Sequence, residues 1–453
     1  MAGRMRVAVV GAGSAGTYAA YELRKKLGEH VDFTVYERQE HAGGRAWTVD
    51  FAGERVEVGG VLLHSSGKYG YELMEYTGCR EGMPGVSVDG SEETYAFWTD
   101  KGLPVFTKTS LAAMAWAILR YVGPKSALAV TNAAKGMSDN WESIYDLQER
   151  GARYTTVEAM LEAMGLLDVT RQDLRTFLHG KGVNERMTKD VVESIVHNMY
   201  NQGLEINAFA GLVGLAGAGL AGGRLFSVEG GNWTLFQRTL EKMGVDLRVD
   251  TRVDRIDVQK EAGSADRFVV SASDGTVEAF DAVILAAPPA LSGIAVTQGD
   301  AEVPVARNPY QRVYTTLVVG DLDPAYFGVP EGSALPSTVF TADSAQAPFK
   351  SVGVTGYSPM YHRRMYKIFS AEHRMSDEEI HDIFDDVRDV LRFTWDGAYP
   401  VLKPGSKHVP FRLAPGLYYA NAFETVAGSV EVEAVGGWNA GRLAARYVAE
   451  NDL

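Results

Sequence analysis

Residue types that could hold phosphate cluster at the start of the chain. Gly11-Ala12-Gly13-Ser14-Ala15-Gly16 sets three glycines at the spacing a dinucleotide's pyrophosphate requires of a strand-to-helix turn. Gly11 would permit the sharp turn, Gly13 would let the backbone approach the phosphates with no Cβ in the way, and Gly16 would let helix and strand pack closely. Ser14 and Ala15 would open the helix, where free N–H groups and the positive end of the dipole face the anion. Glu37, 21 residues after Gly16, is placed to accept hydrogen bonds from both ribose hydroxyls, with Arg38 beside it. Its charge disfavours a 2′-phosphate. In Gly43-Gly44-Arg45 a guanidinium could neutralise pyrophosphate while the glycines let the chain pass close to the cofactor, a pattern that favours a flavin dinucleotide over a nicotinamide one.

These residues need a strand, a helix and a second strand to position them. Residues 5 to 10 form a short β-branched run, Tyr18, Tyr21, Leu23 and Leu27 follow in a helical stretch, and Phe33-Thr-Val-Tyr36 reads as the next strand. From about residue 107 to 220 the texture is helical, with Thr155 and Glu158, then Thr170 and Asp173, spaced as capping boxes. Met187, Val191, Ile195 and Met199 recur at helical spacing, as core residues or as the wall of an apolar substrate cavity. Strand texture returns at Val245 to Val258 and at Phe280 to Ala287, and an Ala-rich helix ends the chain, reaching Val448.

With 453 residues the chain is long for one core, and two associated domains are expected. A net charge of -14 repels phosphate backbones, which argues against nucleic-acid or anionic-membrane partners. A single cysteine, Cys79, leaves no internal disulfide and no thiolate metal site. The nine histidines are scattered without the i, i+4 pairs of a helical metal site, so no metal is expected. Leu111 to Val122 is too short to span a bilayer. Met1 leads almost directly into the first strand, with no room there for a signal peptide, and a cytoplasmic setting is expected.

Together with the glycine motif, Glu37 and Gly44-Arg45 resemble the FAD oxidoreductases that include the amine oxidases. The resemblance implies that Val58-Gly59-Gly60-Val61 passes the isoalloxazine, that Thr251-Arg252-Val253 offers backbone groups near adenine, and that Glu424 with Gly428 to Glu433, including Val432, closes the flavin with a helix N-terminus. Within that group the chain is similar to the prenylcysteine oxidase (prenylcysteine lyase) family. The likeness rests on Gly59-Gly60-Val-Leu-Leu-His64, Ile206-Asn207-Ala208-Phe209, Val228-Glu229-Gly230-Gly231-Asn232, Tyr314-Thr315-Thr316-Leu317-Val318, Lys367-Ile368-Phe369-Ser370 and Leu417-Tyr418-Tyr419. It implies FAD and O2 chemistry on an apolar, prenylated small molecule. His64 then becomes a candidate for positioning substrate or water, or for a structural hydrogen bond. Tyr200, with Asn201 and Gln202, is a candidate cavity residue, and Arg312 stands where the resemblance suggests a histidine. Cys79 lies far from the C-terminal region where some amine oxidases link their flavin, so noncovalent FAD is expected.

The resulting expectation is an α/β fold: a Rossmann-like FAD domain from residues 1–80, 225–290 and 411–453, and a mixed, largely helical substrate domain from 81–224 and 291–410. Its activity would be oxidation of an activated, allylic C–H bond. Oxidative cyclisation or desaturation, amine oxidation, and a flavin-binding scaffold or redox sensor remain open at this point.

Overall fold

Val7 to Val10 and Ala282 to Leu285 are buried throughout, as strands of a parallel sheet covered on both faces must be. In the computed structural model, which describes residues 4–82, 94–108, 111–260, 266–299, 301–303, 305, 307–330 and 335–451, they lie side by side in a six-stranded sheet. Its order is Asp246–Arg248, Val31–Tyr36, Met5–Val10, Ala282–Leu285, Leu417–Tyr419, Arg412–Ala414. The first five strands run parallel and the last antiparallel. The sheet thus draws on both ends and the middle of the chain, with Rossmann-like strand, turn and helix at its centre.

The helix Ser14–Leu27 packs along the C-terminal helix Val430–Asn451. Glycine makes that approach possible: a Cβ on Gly437 would overlap the Ala15 carbonyl, and one on Gly441 would stand 2.6 Å from the Ala19 oxygen. Ser14 Oγ donates to the Val430 carbonyl at 2.9 Å, pinning the two helix N-termini together.

A seven-stranded sheet is built around Tyr310–Leu322, which pairs antiparallel with Phe384–Pro400 on one side and Arg363–Ser370 on the other. A five-stranded sheet runs Val277–Phe280, Arg267–Ala272, Val253–Gln259, Ala295–Gln298, Ala301–Glu302. Between Leu111 and Gly217 the chain is helical, the long helix Pro124–Glu149 packing on Ala208–Gly217. The expected onset of this segment is displaced by a strand, Gly102–Lys108.

Both expected capping boxes are displaced as well. Thr156, not Thr155, caps Val157–Ala163 by accepting from Ala159 N, the register that turns Val157, Met160 and Leu161 into the core. Asp173 is itself the cap of Leu174–Gly180, accepting from Thr176 N at 2.8 Å, while Thr170 belongs to the preceding 3₁₀ turn.

The stripe Met187, Val191, Ile195, Met199 spans a turn of π-helix, Met187–Val192, and the α-helix Glu193–Tyr200. A strict four-residue spacing outruns an α-helix of 3.6 residues per turn, and the wider π-turn takes up part of the drift. Met187, Val191 and Ile195 are buried, and Met199 reaches a cavity wall.

Replacing Gly437 with Val should cost at least about 3 kcal/mol, because the overlap is with backbone that cannot move aside. A denaturant midpoint equal to that of the parent would show that the two helices approach less closely.

Candidate active site

The N-termini of the first and last helices open on one cavity of about 550 Å³. At its nucleotide end lie Gly11, Gly13, Ser14, Ala15, Glu37 and Arg38, joined by Thr251, Arg252 and Val253. Gly11 has φ +108°, and a Cβ there would stand 2.5 Å from the Ala286 oxygen, so the turn is closed to other residues. Gly16 does not line the cavity but packs the helix on the turn, where a Cβ would overlap the Gly11 carbonyl.

Glu37 is buried, and its carboxylate accepts from Ala12 N at 2.8 Å and from Gln39 N at 3.0 Å. Burial raises this acid above the ordinary carboxylate range, and the two N–H groups pull it part of the way back. Each oxygen keeps a second lone pair, so it can also accept from hydroxyls in the cavity. Arg38 is more exposed and donates to the Leu291 carbonyl at 3.3 Å.

Gly43, Gly44 and Arg45 form the opposite lip. A Cβ on Gly44 would stand 3.1 Å from Gly13 Cα, so the two loops pack backbone against backbone, and both glycines line the cavity without a side chain. Arg45 forms an ion pair with Glu424, which is 1 % exposed, and donates to the Ala398 carbonyl at 2.9 Å. Tyr310 O–H donates to the other Glu424 oxygen at 3.0 Å. Arg45 is therefore not a free cation awaiting pyrophosphate; its charge is matched within the protein.

Beyond Arg45 the chain passes Gly59 and Gly60. A Cβ on Gly59 would overlap the Arg45 carbonyl, and Gly60 N donates to that carbonyl at 2.9 Å. Two residues that the sequence singled out without a role, Asn232 and Lys367, hold this passage together with Trp395, which it did not. Asn232 Nδ2 donates to the carbonyls of Gly60, at 2.8 Å, and Val61, at 2.9 Å. Lys367 Nζ donates to the Glu57 carbonyl at 3.1 Å, burial bringing its ammonium down to about 8 against the opposing pull of the Glu57 charge. Trp395 Nε1 donates to Val58 O at 2.9 Å. Val61 itself lines no part of the cavity.

The far wall is apolar: Met199, Val313, Phe369, Phe393 and Trp395, with His197, Asn198 and Asn201 at its helical edge. His197 is 2 % exposed and its Nδ1 lies 3.0 Å from the Thr341 carbonyl. Burial and then the Lys350 charge lower its pKa, which keeps it neutral. Asn201, in the left-handed region at φ 55°, leaves Oδ1 buried without a partner.

A smaller cavity of about 120 Å³ adjoins the first through Met199, Ser429 and Val430, and it is there that His64, Tyr200 and Val432 lie. His64 has both ring nitrogens engaged, Nδ1 with Ser66 Oγ at 2.7 Å and Nε2 with the Gly222 carbonyl at 2.9 Å, a structural arrangement. Tyr200 is buried against the Tyr399 ring, its hydroxyl unpartnered and raised by burial. Arg312 is exposed, pairs with Asp396 at 2.8 Å and lines neither cavity. Among the described residues no acid, histidine and cysteine cluster could hold a metal.

Two stretches of the chain match known sequence families. Residues 9–77 match the NAD(P)-binding Rossmann-like domain, and residues 107–452 match prenylcysteine lyase. The chain belongs to the prenylcysteine lyase family. It is 28 % identical to farnesylcysteine lyase of Arabidopsis thaliana, over 99 % of this chain and 89 % of that protein. Identity is 28 % to prenylcysteine oxidase 1 of Mus musculus and 27 % to that of Homo sapiens, each over 97 % of this chain and 88 % of the relative. The fold is shared with a putrescine oxidase triple mutant, at TM-score 0.66 and 17 % identity over 98 % of this chain and 99 % of that one. Cyclohexylamine oxidase from Brevibacterium oxydans is similar at TM-score 0.63 and 16 % identity, over 99 % of each chain. As a member of the prenylcysteine lyase family the protein is an FAD-dependent oxidoreductase, the class expected from its sequence.

The cavity fits such a cofactor: it is lined by bare glycines at Gly13 and Gly44, by an acid with spare lone pairs at Glu37, and by two helix N-termini that open on it. Glu37→Ala should weaken FAD binding by about 1 to 3 kcal/mol through lost charge-assisted hydrogen bonds, read by titrating the apoprotein. Unchanged affinity would place the ribose elsewhere. Arg45→Met should destabilise the apoprotein by about 3 to 5 kcal/mol by leaving Glu424 buried and unpaired, and adding Glu424→Gln should recover much of that loss. Strictly additive effects in denaturation would mean that the two side chains do not pair.

Proposed function

We propose that the protein oxidises an S-prenyl cysteine thioether with noncovalently bound FAD and molecular oxygen, releasing cysteine, a prenyl aldehyde and hydrogen peroxide. The observation that carries this reading is the apolar wall of Met199, Val313, Phe369, Phe393 and Trp395, which continues the cofactor cavity beyond Gly59 and Gly60. It lies within the residues that match the prenylcysteine lyase family, whose relatives are named for farnesyl- and prenylcysteine. A noncovalent cofactor is supported by Cys79, which sits beside Arg238 and lines neither cavity. The single cysteine also supports a reducing, cytoplasmic setting, since it leaves no internal disulfide to form.

The chemistry suits such walls. The carbon between sulfur and alkene loses hydride readily because the resulting cation is stabilised from both sides. FAD, when bound, supplies the two-electron acceptor. The protein's part is then to hold the allylic carbon in place and to exclude bulk water, which apolar side chains do well. No strong base is needed, in keeping with a neutral, buried His197. One water adds to the oxidised carbon, the hemithioacetal collapses, and the thiol leaves with a proton. Per turnover one thioether, one O2 and one water give one thiol, one aldehyde and one hydrogen peroxide.

S-farnesylcysteine should bleach the yellow holoprotein under anaerobic conditions, and deuterium on its thioether methylene should slow the bleaching where hydride loss limits the rate. Cysteine and farnesal should appear as products. Slowing by deuterium on the amine-bearing carbon of a non-prenylated substrate would instead identify an amine oxidase, and a cyclised or desaturated product with no thiol would identify a different fate for the same cation.

A further inference from the structure

Two carboxyl groups in the first turns of the helix Val430–Asn451 have opposite surroundings. Glu431 is fully satisfied: it accepts from Tyr69 N at 2.9 Å, Gly70 N at 3.1 Å and Tyr145 O–H at 2.7 Å. Glu433 has one partner, Asn421 Nδ2, at 2.8 Å from Oε2. Its Oε1 is buried and unpartnered, the residue is 7 % exposed, and it lines the large cavity.

Charge balance around Glu433 is tight. The titratable groups that face it are Arg45, Glu424, Tyr310 and Tyr419. Arg45, the one cation among these four, is paired with Glu424. The same Asn421 nitrogen that serves Glu433 also reaches Glu424 Oε2 at 3.3 Å, so a single amide bridges both acids. An ionised Glu433 would therefore be a buried, uncompensated charge facing a cavity that must accept a diphosphate. A protonated carboxyl removes that conflict and turns the orphan oxygen into a donor. FAD offers acceptors along its whole length, in its phosphate, ribityl and ring oxygens.

We propose that Glu433 is a protonated carboxylic acid whose Oε1 donates a hydrogen bond to bound FAD, so that cofactor affinity depends on the protonation of this one side chain. The proposal rests on the FAD reading above. Burial, reinforced by the charge of Glu424, holds the carboxyl well above the ordinary carboxylate range, in the same direction. The sign follows: the neutral form binds, and affinity is lost as rising pH ionises Glu433.

The test is FAD binding by the apoprotein, followed through flavin fluorescence from neutral to alkaline pH, for the parent, Glu433→Gln and Glu433→Ser. The parent should lose about tenfold in affinity, the equivalent of one pKa unit of differential interaction. Glu433→Gln, which keeps a donor and an acceptor, should bind as well as the parent at neutral pH and change little with pH; Glu433→Ser, which keeps neither the reach nor a titrating group, should bind more weakly at neutral pH and be similarly flat. Ionisation of the flavin itself is common to all three proteins and cancels in the comparison. Equal pH slopes for parent and variants would overturn the proposal while leaving the cofactor assignment intact. A parent that binds no FAD at any pH would overturn the cofactor assignment and this proposal with it.

Discussion

Much of this structure depends on one close approach, that of the helix Val430–Asn451 to the helix Ser14–Leu27. Gly437 and Gly441 bring backbone against backbone at Ala15 and Ala19, and Ser14 Oγ fixes the first turns together through the Val430 carbonyl. Two positive helix ends consequently face the same cavity, a placement that repels cations and rewards an anionic or electron-accepting ligand. An error of one residue in the packing would rotate one end away by about 100°. The glycine pairing thus sets the electrostatics of the site as well as the fold.

The ion pair of Arg45 with Glu424 ties together parts of the chain that are far apart in sequence. Arg45 follows the second strand of the six-stranded sheet, Glu424 precedes the last helix, and Tyr310 and Ala398, which also bond to this pair, belong to the seven-stranded sheet. Such a buried pair contributes little net stability but specifies a unique arrangement, because every alternative leaves a charge unpaired. Its place beside the cavity means that the glycine-lined end and the apolar wall are positioned by the same contact.

The nucleotide end was legible in the sequence because its constraints are local. Gly11, Gly13, Gly16 and Glu37 must stand at fixed offsets within one strand-turn-helix-strand unit, and the structure places them in that unit. The capping threonines were off by one to three residues because neighbouring Thr and Asp side chains compete for the same N–H groups, and tertiary burial of Val157 and Met160 decides between them. The substrate wall was harder. His197, Asn198 and Asn201 reach the cavity because a π-turn resets the helix before them and because a left-handed Asn201 ends it. Neither feature has a strong single-sequence signal. The family resemblance brought out Asn232 and Lys367 but could not say what they hold, since their partners lie more than 150 residues away and are backbone carbonyls, which carry no residue identity.

That pattern bears on where substrate choice resides. Trp395 and Tyr399 lie on the strand whose other contacts hold Val58 and Arg45, so a change there would disturb the cofactor passage along with the substrate. Val313 and Phe393 lie opposite each other's neighbourhood in the same strand pair and share that constraint. The helical edge at His197 to Asn201 is bound differently: its side-chain hydrogen bonds run to the seven-stranded sheet, through Thr341, Ser370 and Gln311, and among the described residues none reaches the six-stranded sheet. Tyr200 apart, whose ring packs on Tyr399, this edge has few ties to the cofactor passage, and Met199, which it carries, lines both the large cavity and the small one. A flexible, unbranched side chain at that boundary can yield to the length of an apolar chain, so on the function proposed above Met199 is the wall residue that accommodates prenyl length at least cost to the packing around it.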